Sequence, residues 1–491
     1  MTSTTAMATR STQRLVADPT RVISRLFVPG QEGFDHQDSR AGLVLDRVLA
    51  LADEDVLIAL HDVITRFDPR HRDLADTFRQ HARELTDRLG PGQSLSDTRM
   101  LLLGAVFTSE YAIEGAALCN PSIVADPDQS GLRKGDLRFV MSVRGIGEGH
   151  VSSIGFRSGV IDSAGNPRID RPVALATLGW VGPALLDAAT FRAELARRDD
   201  VGEAFDYVFG ALGDRFTRAE LDDQLALLQS HRRTRGHAQE TIAQVRAIAD
   251  RYYAVDFRKR IPLSERVLWP AMSVESVGME DARFVRFVDE DGSVTYYATY
   301  TAYNGSSIAQ QLLETHDFHS FTSRPIVGAA AANKGLAIFP RRINGRYAAL
   351  SRAGRETNAI TYSDRPYVWT SPIEIQQPVE PWEILQLGNC GAPIETDYGW
   401  LVLTHGVGPM RTYHLGALLL DLDEPTRVIG RLREPLLSPA ADESDGYVPN
   451  VVYSCGAIVH ADTLVIPYGM SDAAIGFATI RLPDLLAALV A

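Results

Sequence analysis

Between Ala41 and Thr65 the apolar positions recur every three or four residues. They fall on Leu45, Val48, Leu49, Leu51, Val56, Leu57, Leu60 and Val63, the stripe of an amphipathic helix. Asp73 to Leu89 keeps that period with a charged outer face, and Pro91-Gly92 ends it. Ser94 to Glu114 reads as a further helix, opening on a Ser-x-x-Asp-like cap and running towards Asn120-Pro121. At Leu137 the period changes. Leu137-Arg-Phe-Val-Met-Ser-Val alternates and is rich in strand formers, and Val151-Ser-Ser-Ile-Gly-Phe-Arg is a second short strand. Leu185 to Val255 returns to helical character, with runs of Ala, Leu, Glu, Arg and Gln and no internal proline, as an insertion in a β-protein.

From Val274 onward the pattern is short strands and turns. Thr295 to Tyr303 is one strand; Leu336 to Pro340 and Tyr347 to Ser351 flank Asn344-Gly345, a strong hairpin signal. Trp400 to Thr404, Leu415 to Leu420, Val451 to Tyr453 and Thr463 to Tyr468 follow. Paired strands recurring at intervals of roughly 50 residues predict blade-like units, five of them. The expected fold is mainly β: a five-bladed β-propeller over 116–491, a helical region over 1–115 and a helical insertion near 185–260. The mouth of a propeller's central channel is its usual binding site.

Composition narrows the function classes. The 491 residues are 45% hydrophobic and 23% charged, enough to bury a core. Against 49 Lys and Arg stand 62 Asp and Glu, a net charge of −13 that repels phosphodiester backbones and anionic lipid. Arg232, Arg233 and Arg235 read as a solvated helix face, so neither nucleic acid nor membrane is expected as a partner. Cys119, Cys390 and Cys455 are odd in number and widely spaced, which is no disulfide or zinc framework and fits a reducing compartment. With a polar Met1–Thr12 and no run of ~20 apolar residues, a cytoplasmic location is expected. The N-terminal helices are a candidate surface for homo-oligomer formation, or a cover for the site mouth.

Several residues could carry chemistry, each with a plainer alternative. Glu280-Asp281 before Ala282-Arg283 is either a solvated turn or a carboxyl buried at a channel mouth, its pKa raised for general-acid work. Lys334 and Arg352 flank the Asn344-Gly345 hairpin, as surface charge or as an anion site. His405 sits in a glycine-flanked loop, structural or catalytic. Glu395 and Glu443 precede strands and are solvated acids or bases. Tyr296, Tyr297, Tyr300, Tyr303, Trp400, Tyr413 and Tyr468 suit strand packing or sugar stacking. No Gly-x-Ser-x-Gly elbow, Walker loop or metal-ligand spacing is present, and no dinucleotide-type helix follows Gly145-Ile-Gly147-Glu-Gly149. No metal or organic cofactor is therefore expected.

Met279-Glu-Asp-Ala-Arg-Phe resembles the Glu-Asp-Pro-Arg signature of glycoside hydrolase family 130, the β-mannoside phosphorylases and β-mannosidases. Asn120-Pro121 with the strand to Arg144, Ser152-Ser-Ile-Gly-Phe-Arg-Ser, Asn333-Lys334-Gly-Leu-Ala-Ile-Phe-Pro, and Ile343 to Arg352 resemble further family segments in order. So do Gly399 to Val407, Leu415 to Leu422, Glu424 to Ile429, Gly446 to Val452 and Tyr468 to Asp472. The resemblance runs from Asn120 to the end, outside the helical insertion. It implies a five-bladed propeller, inversion at the anomeric carbon, and Asp281 as the general acid, its proton passing through a sugar hydroxyl. It also implies phosphate at Lys334 and Arg352, and sugar contacts from Asn120, Arg144, Ser153, Glu280, Arg283, His405, Tyr468 and Asp472. Ala282 replaces the signature proline, and Ser351 the histidine of a Leu-His-Arg hairpin. A position often lysine in phosphorylases falls by spacing on Glu395, where a carboxylate would repel phosphate and activate water; Glu443 is a second candidate base. The expectation is therefore hydrolysis of β-mannosides in mannose-containing oligosaccharides. Phosphorolysis, with inorganic phosphate as co-substrate and mannose 1-phosphate as product, is the alternative, and a non-catalytic sugar-binding propeller is the third.

Overall fold

The computed structural model describes residues 7–30, 39–86, 95–196, 203–230 and 235–490. The expected Pro91-Gly92 break, Ser94, Arg232 and Arg233 lie outside them. The chain is mainly β and divides into two compact units, one of 18–115 with 173–178, the other holding the rest.

The smaller unit is less uniformly helical than its periodicity suggests. Its helices are Arg40–Ala50, Asp53–Phe67, Leu74–Thr86 and Asp97–Val106, packed on Ala41, Leu45, Val48, Ala82, Leu85, Leu103 and Phe107. The stripe from Ala41 to Thr65 is two helices, because Leu51 and Ala52 are extended and Asp53, Glu54 and Asp55 open a new first turn. The helix expected to reach Glu114 ends at Val106; Thr108–Ala112 is instead a strand paired antiparallel with Val22–Leu26. Its cross-strand partners supply what local helix propensity does not. The boundary drawn at 115 also misses Thr9–Val16, an alternating strand that pairs with Ala474–Arg481 in the larger unit.

Among its described residues the larger unit carries five antiparallel groups in chain order, the first two joined into one sheet where Ser152 pairs in parallel with Gly278. The first is Ala117–Ala125, Leu137–Ile146, Ser152–Ile161 and Pro167–Ile169. The second is Gly278–Val288, Val294–Tyr303, Ile308–Thr315 and Ser320–Pro325. The third is Ala337–Ile338, Tyr347–Ser351, Asn358–Ser363 and Ile373–Gln376. The fourth is Gln386–Asn389, Gly399–Val407, Tyr413–Leu420 and Val428–Arg431. The fifth is Val452–Tyr453, Thr463–Met470, Ala474–Arg481 and, from the other end of the chain, Thr9–Val16. Buried alternate residues pack successive groups together, as where Phe339, Leu350 and Ile360 of the third meet Trp400, Val402 and Leu418 of the fourth. Asn344 and Gly345 turn at φ 50° and 76°, the hairpin expected there.

The helical insertion is present as Ala188–Ala196, Glu203–Gly210, Arg218–Ser230 and Arg235–Ala249, with a core that includes Phe191, Phe209, Phe216, Leu221, Leu225 and Val245. Its expected C-terminal end is a strand. Tyr253–Asp256 pairs with the outer strand of the second group on one side and with Trp180–Gly182 on the other.

Candidate active site

Irregularities in otherwise regular strands aim the polar side chains. The register of the Gly278–Val288 strand shifts between Glu280 and Arg283, and Asp281 there has φ 55°. The Ala117–Ala125 strand shifts between Cys119 and Ser122, and Asn120 there has φ 48°. Asp472, in the turn between Thr463–Met470 and Ala474–Arg481, has φ 52°. Left-handed backbone is costly for non-glycine residues and collects at functional sites, and bulges re-aim side chains. Asn120, Asp281 and Asp472 all line one cavity of about 180 Å3, together with Arg144, Lys334, Arg352 and His405.

Asp281 lies 3.6 Å from an Arg144 nitrogen and 3.7 Å from one of Arg283. Its Oδ1 is buried and accepts no hydrogen bond. Burial would raise its carboxyl; the positive charges of Arg283, Lys334, Arg144 and Arg352 outweigh burial and hold it below the usual carboxylate range. The raised pKa expected from burial at a channel mouth is thus reversed, because cations surround the acid. Arg283 is the brace beneath it, donating to the Asp281 carbonyl (2.8 Å), the Cys390 carbonyl (2.9 Å) and the Tyr453 hydroxyl (2.9 Å). Arg144 donates to Glu280 (2.6 Å) and to the Ser152 hydroxyl (2.9 Å). Ser153, expected to touch sugar, is buried behind that wall and outside the cavity lining.

Arg352 is buried, its Nε without a partner, and His405 beside it has an unpartnered Nδ1. Gly388 makes room for both: a Cβ there would sit 2.3 Å from Arg352 Nε and 2.6 Å from His405 Cε1. Burial, then the charges of Arg352, Arg283 and Lys334, lower His405 far below an ordinary imidazole, so it adds no charge to the cluster. Asp472 is pushed up to about 6, chiefly by burial, with Asp281 and Glu280 adding to it and Arg144 and Lys334 opposing.

Glu280 and Arg283, also expected as contacts, bond to the lining residues without lining the cavity, and three further expected site residues are elsewhere. Glu395 is nearly half exposed on Ile394–Thr396 and is held bidentate by Arg341, at 2.6 to 3.1 Å, outside the cavity lining. Glu443 is buried and saturated: it accepts from Arg10 (3.1 Å), the Tyr468 hydroxyl (2.6 Å) and the Ala440 amide (3.1 Å). Tyr468, its donor, is a core residue of the fifth group. Spacing along the chain does not say to which side of a strand a carboxylate points, and here the two glutamates point away. Conversely Gln386, Arg411 and Tyr453 line the cavity without having been singled out for it, and Tyr413, one of the aromatics read as strand packing or sugar stacking, lines it too. The hairpin loops Gly147-Glu-Gly-His150 and Gly408-Pro-Met-Arg411 share one backbone form, with φ 63° and 62° in the first and 56° and 56° in the second.

A family model for glycoside hydrolase family 130, described as beta-1,4-mannooligosaccharide phosphorylase, matches residues 239–490. A 1,2-beta-oligomannan phosphorylase from Thermoanaerobacter sp. (strain X514) is 34% identical over 229 residues, 44% of this chain and 74% of that protein. The chain belongs to glycoside hydrolase family 130. A beta-1,2-mannobiose phosphorylase from Listeria innocua is 33% identical over 233 residues, 45% of this chain and 62% of its own length. A solved beta-1,2-mannobiose phosphorylase from Listeria innocua aligns over 77% of this chain and 93% of its own, at 23% identity and TM-score 0.46. This family 130 member is therefore a carbohydrate-active enzyme, a glycoside hydrolase or glycoside phosphorylase. The family match includes Asp281, Lys334, Arg352, His405 and Asp472; Asn120, Arg144 and most of the helical insertion precede it.

Proposed function

We propose that this chain is an inverting β-mannoside phosphorylase built on a five-bladed β-propeller, taking a mannose-containing oligosaccharide and inorganic phosphate to mannose 1-phosphate and the shortened acceptor. One observation carries the choice of phosphate over water: Lys334, Arg352 and Arg411 line the cavity with Asp281, while Glu395 and Glu443 do not. Clustered cations suit a phosphate dianion, and two guanidinium groups offer planar donor pairs for it. The matched relatives named as phosphorylases support the same reading, and five successive antiparallel groups support the propeller.

In this reading phosphate oxygen forms a bond to the anomeric carbon on the face opposite the glycosidic oxygen. The C1–O bond to the acceptor breaks, and the departing oxygen takes a proton that originates at Asp281. Asn120, Arg144 and Asp472 hold the non-reducing mannose. Neutral His405 hydrogen-bonds at the cation cluster without competing for negative charge. Loading the phosphate neutralises Lys334 and Arg352, two of the charges that hold Asp281 down, and so raises its proton affinity when the proton is needed. The deciding experiment follows product from β-1,2-, β-1,3- and β-1,4-mannobiose and mannosyl-glucose with and without phosphate. Mannose 1-phosphate formed only with phosphate is expected; free mannose released at the same rate in its absence refutes the proposal.

A further inference from the structure

The segment carrying Lys334 runs from the second group to the third and is gripped from both ends of the helical insertion. At the insertion's entry, Asp187 caps the first helix, accepting from the Ala189 and Thr190 amides at 3.0 and 3.2 Å. The same carboxylate accepts from the Tyr367 hydroxyl at 2.6 Å. Tyr367 in turn takes the Val327 amide on its carbonyl at 2.9 Å, and the Trp369 amide returns to Val327 at 2.8 Å. At the exit, the last turn of helix Arg235–Ala249 is extended by the Arg251 amide bonding to Ile248 at 3.1 Å. This fixes where the Arg251 side chain starts.

Arg251 then donates to Gln311 Oε1 (3.1 Å) and to the Gln310 carbonyl (3.0 Å), and Gln311 returns a bond to the Arg251 carbonyl (2.9 Å). The Gln310 carbonyl also accepts the Ile326 amide at 3.0 Å. The Gln310 side-chain amide donates to the carbonyl of Asn333, the residue before Lys334. Asn333 donates to the Arg352 carbonyl at 3.1 Å. An unbroken hydrogen-bonded path thus leads from the end of the insertion to both cations.

We propose that the helical insertion is a brace for the anion site, with Arg251 and Gln310 as positioning residues that set where Lys334 and Arg352 stand. This rests on the phosphorylase reading for its kinetic readout. Among the described residues Lys334 makes no hydrogen bond or ion pair with the wall, so its placement depends on the backbone that carries it. A misplacement of about 1 Å at such a group can cost up to about a hundredfold. Arg251 does not line the cavity and bonds to Gln310 and Gln311, neither of which lines it, so its substitution leaves the chemistry of the site intact and alters only its geometry.

The test compares Gln310→Met, Arg251→Met and Arg251→Lys with the wild-type chain. Each is assayed with phosphate varied at saturating mannoside, and with mannoside varied at saturating phosphate. The expected result is a KM for phosphate raised about tenfold in the two Met variants. The KM for mannoside stays within about twofold, and Arg251→Lys, which keeps a donor for the Gln310 carbonyl, recovers part of the loss. Backbone hydrogen exchange of 329–336 is read in parallel and is expected to quicken in Gln310→Met. This second readout does not depend on turnover. A wild-type enzyme indifferent to phosphate refutes the phosphorylase reading, while the exchange rates still decide the brace. Unchanged exchange in Gln310→Met, or both KM values rising together with a lowered Tm, overturns the proposal. If Gln310→Met does not fold, the Arg251 pair carries the same comparison.

Discussion

Two buried carboxylate clusters in this enzyme look alike by burial and differ in what they have left over. Around Glu275, every acceptor is used. Its oxygens take the Tyr253 hydroxyl (2.9 Å), the Ala271 amide (2.8 Å) and the Tyr300 hydroxyl (2.7 Å), and Tyr300 meets Ser323 at 3.0 Å. Around Asp281 the count falls short: Asp281 Oδ1, Asn120 Oδ1, Asn389 Oδ1, Arg352 Nε and His405 Nδ1 are buried without partners. Burial raises the Glu275 carboxyl while neighbouring cations lower Asp281, so a perturbed acid alone would point to both places. Unspent hydrogen-bonding capacity is costly in a finished core and useful where a polyhydroxylated substrate will complete it. By that criterion Glu443, saturated by Arg10, Tyr468 and Ala440, is scaffold and Asp281 is site.

The largest effect expected from this contrast is Asp281→Asn, with turnover lowered by about a thousandfold or more and Tm little changed. Glu275→Ala should do the reverse, losing on the order of 3 kcal/mol of stability by orphaning two tyrosine hydroxyls while the folded enzyme keeps its turnover. Denaturant melts beside initial rates separate the two; a Glu275→Ala enzyme that is stable but inactive would break the comparison. Next, Lys334→Ala should raise the KM for phosphate by about tenfold to a hundredfold, the loss of one charge-assisted contact, with mannoside KM nearly constant.

A pH experiment sharpens the same contrast. The folded pKa of Asp472, about 6, lies above its usual 3.8, so the native state holds that proton more tightly than the unfolded chain. Its contribution is present at low pH and is lost as pH rises from about 4 through about 6. The Tm of Asp472→Asn minus that of wild type should therefore grow more positive across that window; a flat difference would show that Asp472 does not titrate there. The smallest effect belongs to Glu395→Gln, whose exposed pair with Arg341 should move stability by no more than about 1 kcal/mol and turnover within about twofold. A large loss of activity in that variant would restore the hydrolytic reading.

Local sequence carried a good part of this. Asp281, Lys334, Arg352, Asn120, Arg144, His405 and Asp472 were legible through the resemblance, because each lies in a short segment that matches a family 130 motif. The strands of the five groups showed in their alternation, and Asn344-Gly345 in its turn chemistry. What stayed hidden depends on partners distant in the chain. Thr108–Ala112 follows a helix directly and becomes a strand only beside Val22–Leu26, and Tyr253–Asp256 only beside Ser320–Ser323. Tyr453 arrives at the cavity on the strand Val452–Tyr453 and Arg411 from a hairpin loop, and no spacing within one segment announces that they converge. The sign of the Asp281 shift also needed three dimensions, since Lys334 and Arg352 are more than fifty residues away from it in sequence.

Thr9–Val16 joins the sheet formed by the last residues of the chain, its Arg14 beside Gly476 and its Val16 beside Ala474. During synthesis this strand waits while more than four hundred further residues are made before its partner exists. Closure of the fifth group is therefore a late, non-local event, the kind that slows folding and leaves an open edge exposed meanwhile. A chain shortened past Val16 would leave the Ala474–Arg481 edge open and strip Glu443 of Arg10, so such a truncation should show itself as aggregation before any change in sugar chemistry is seen.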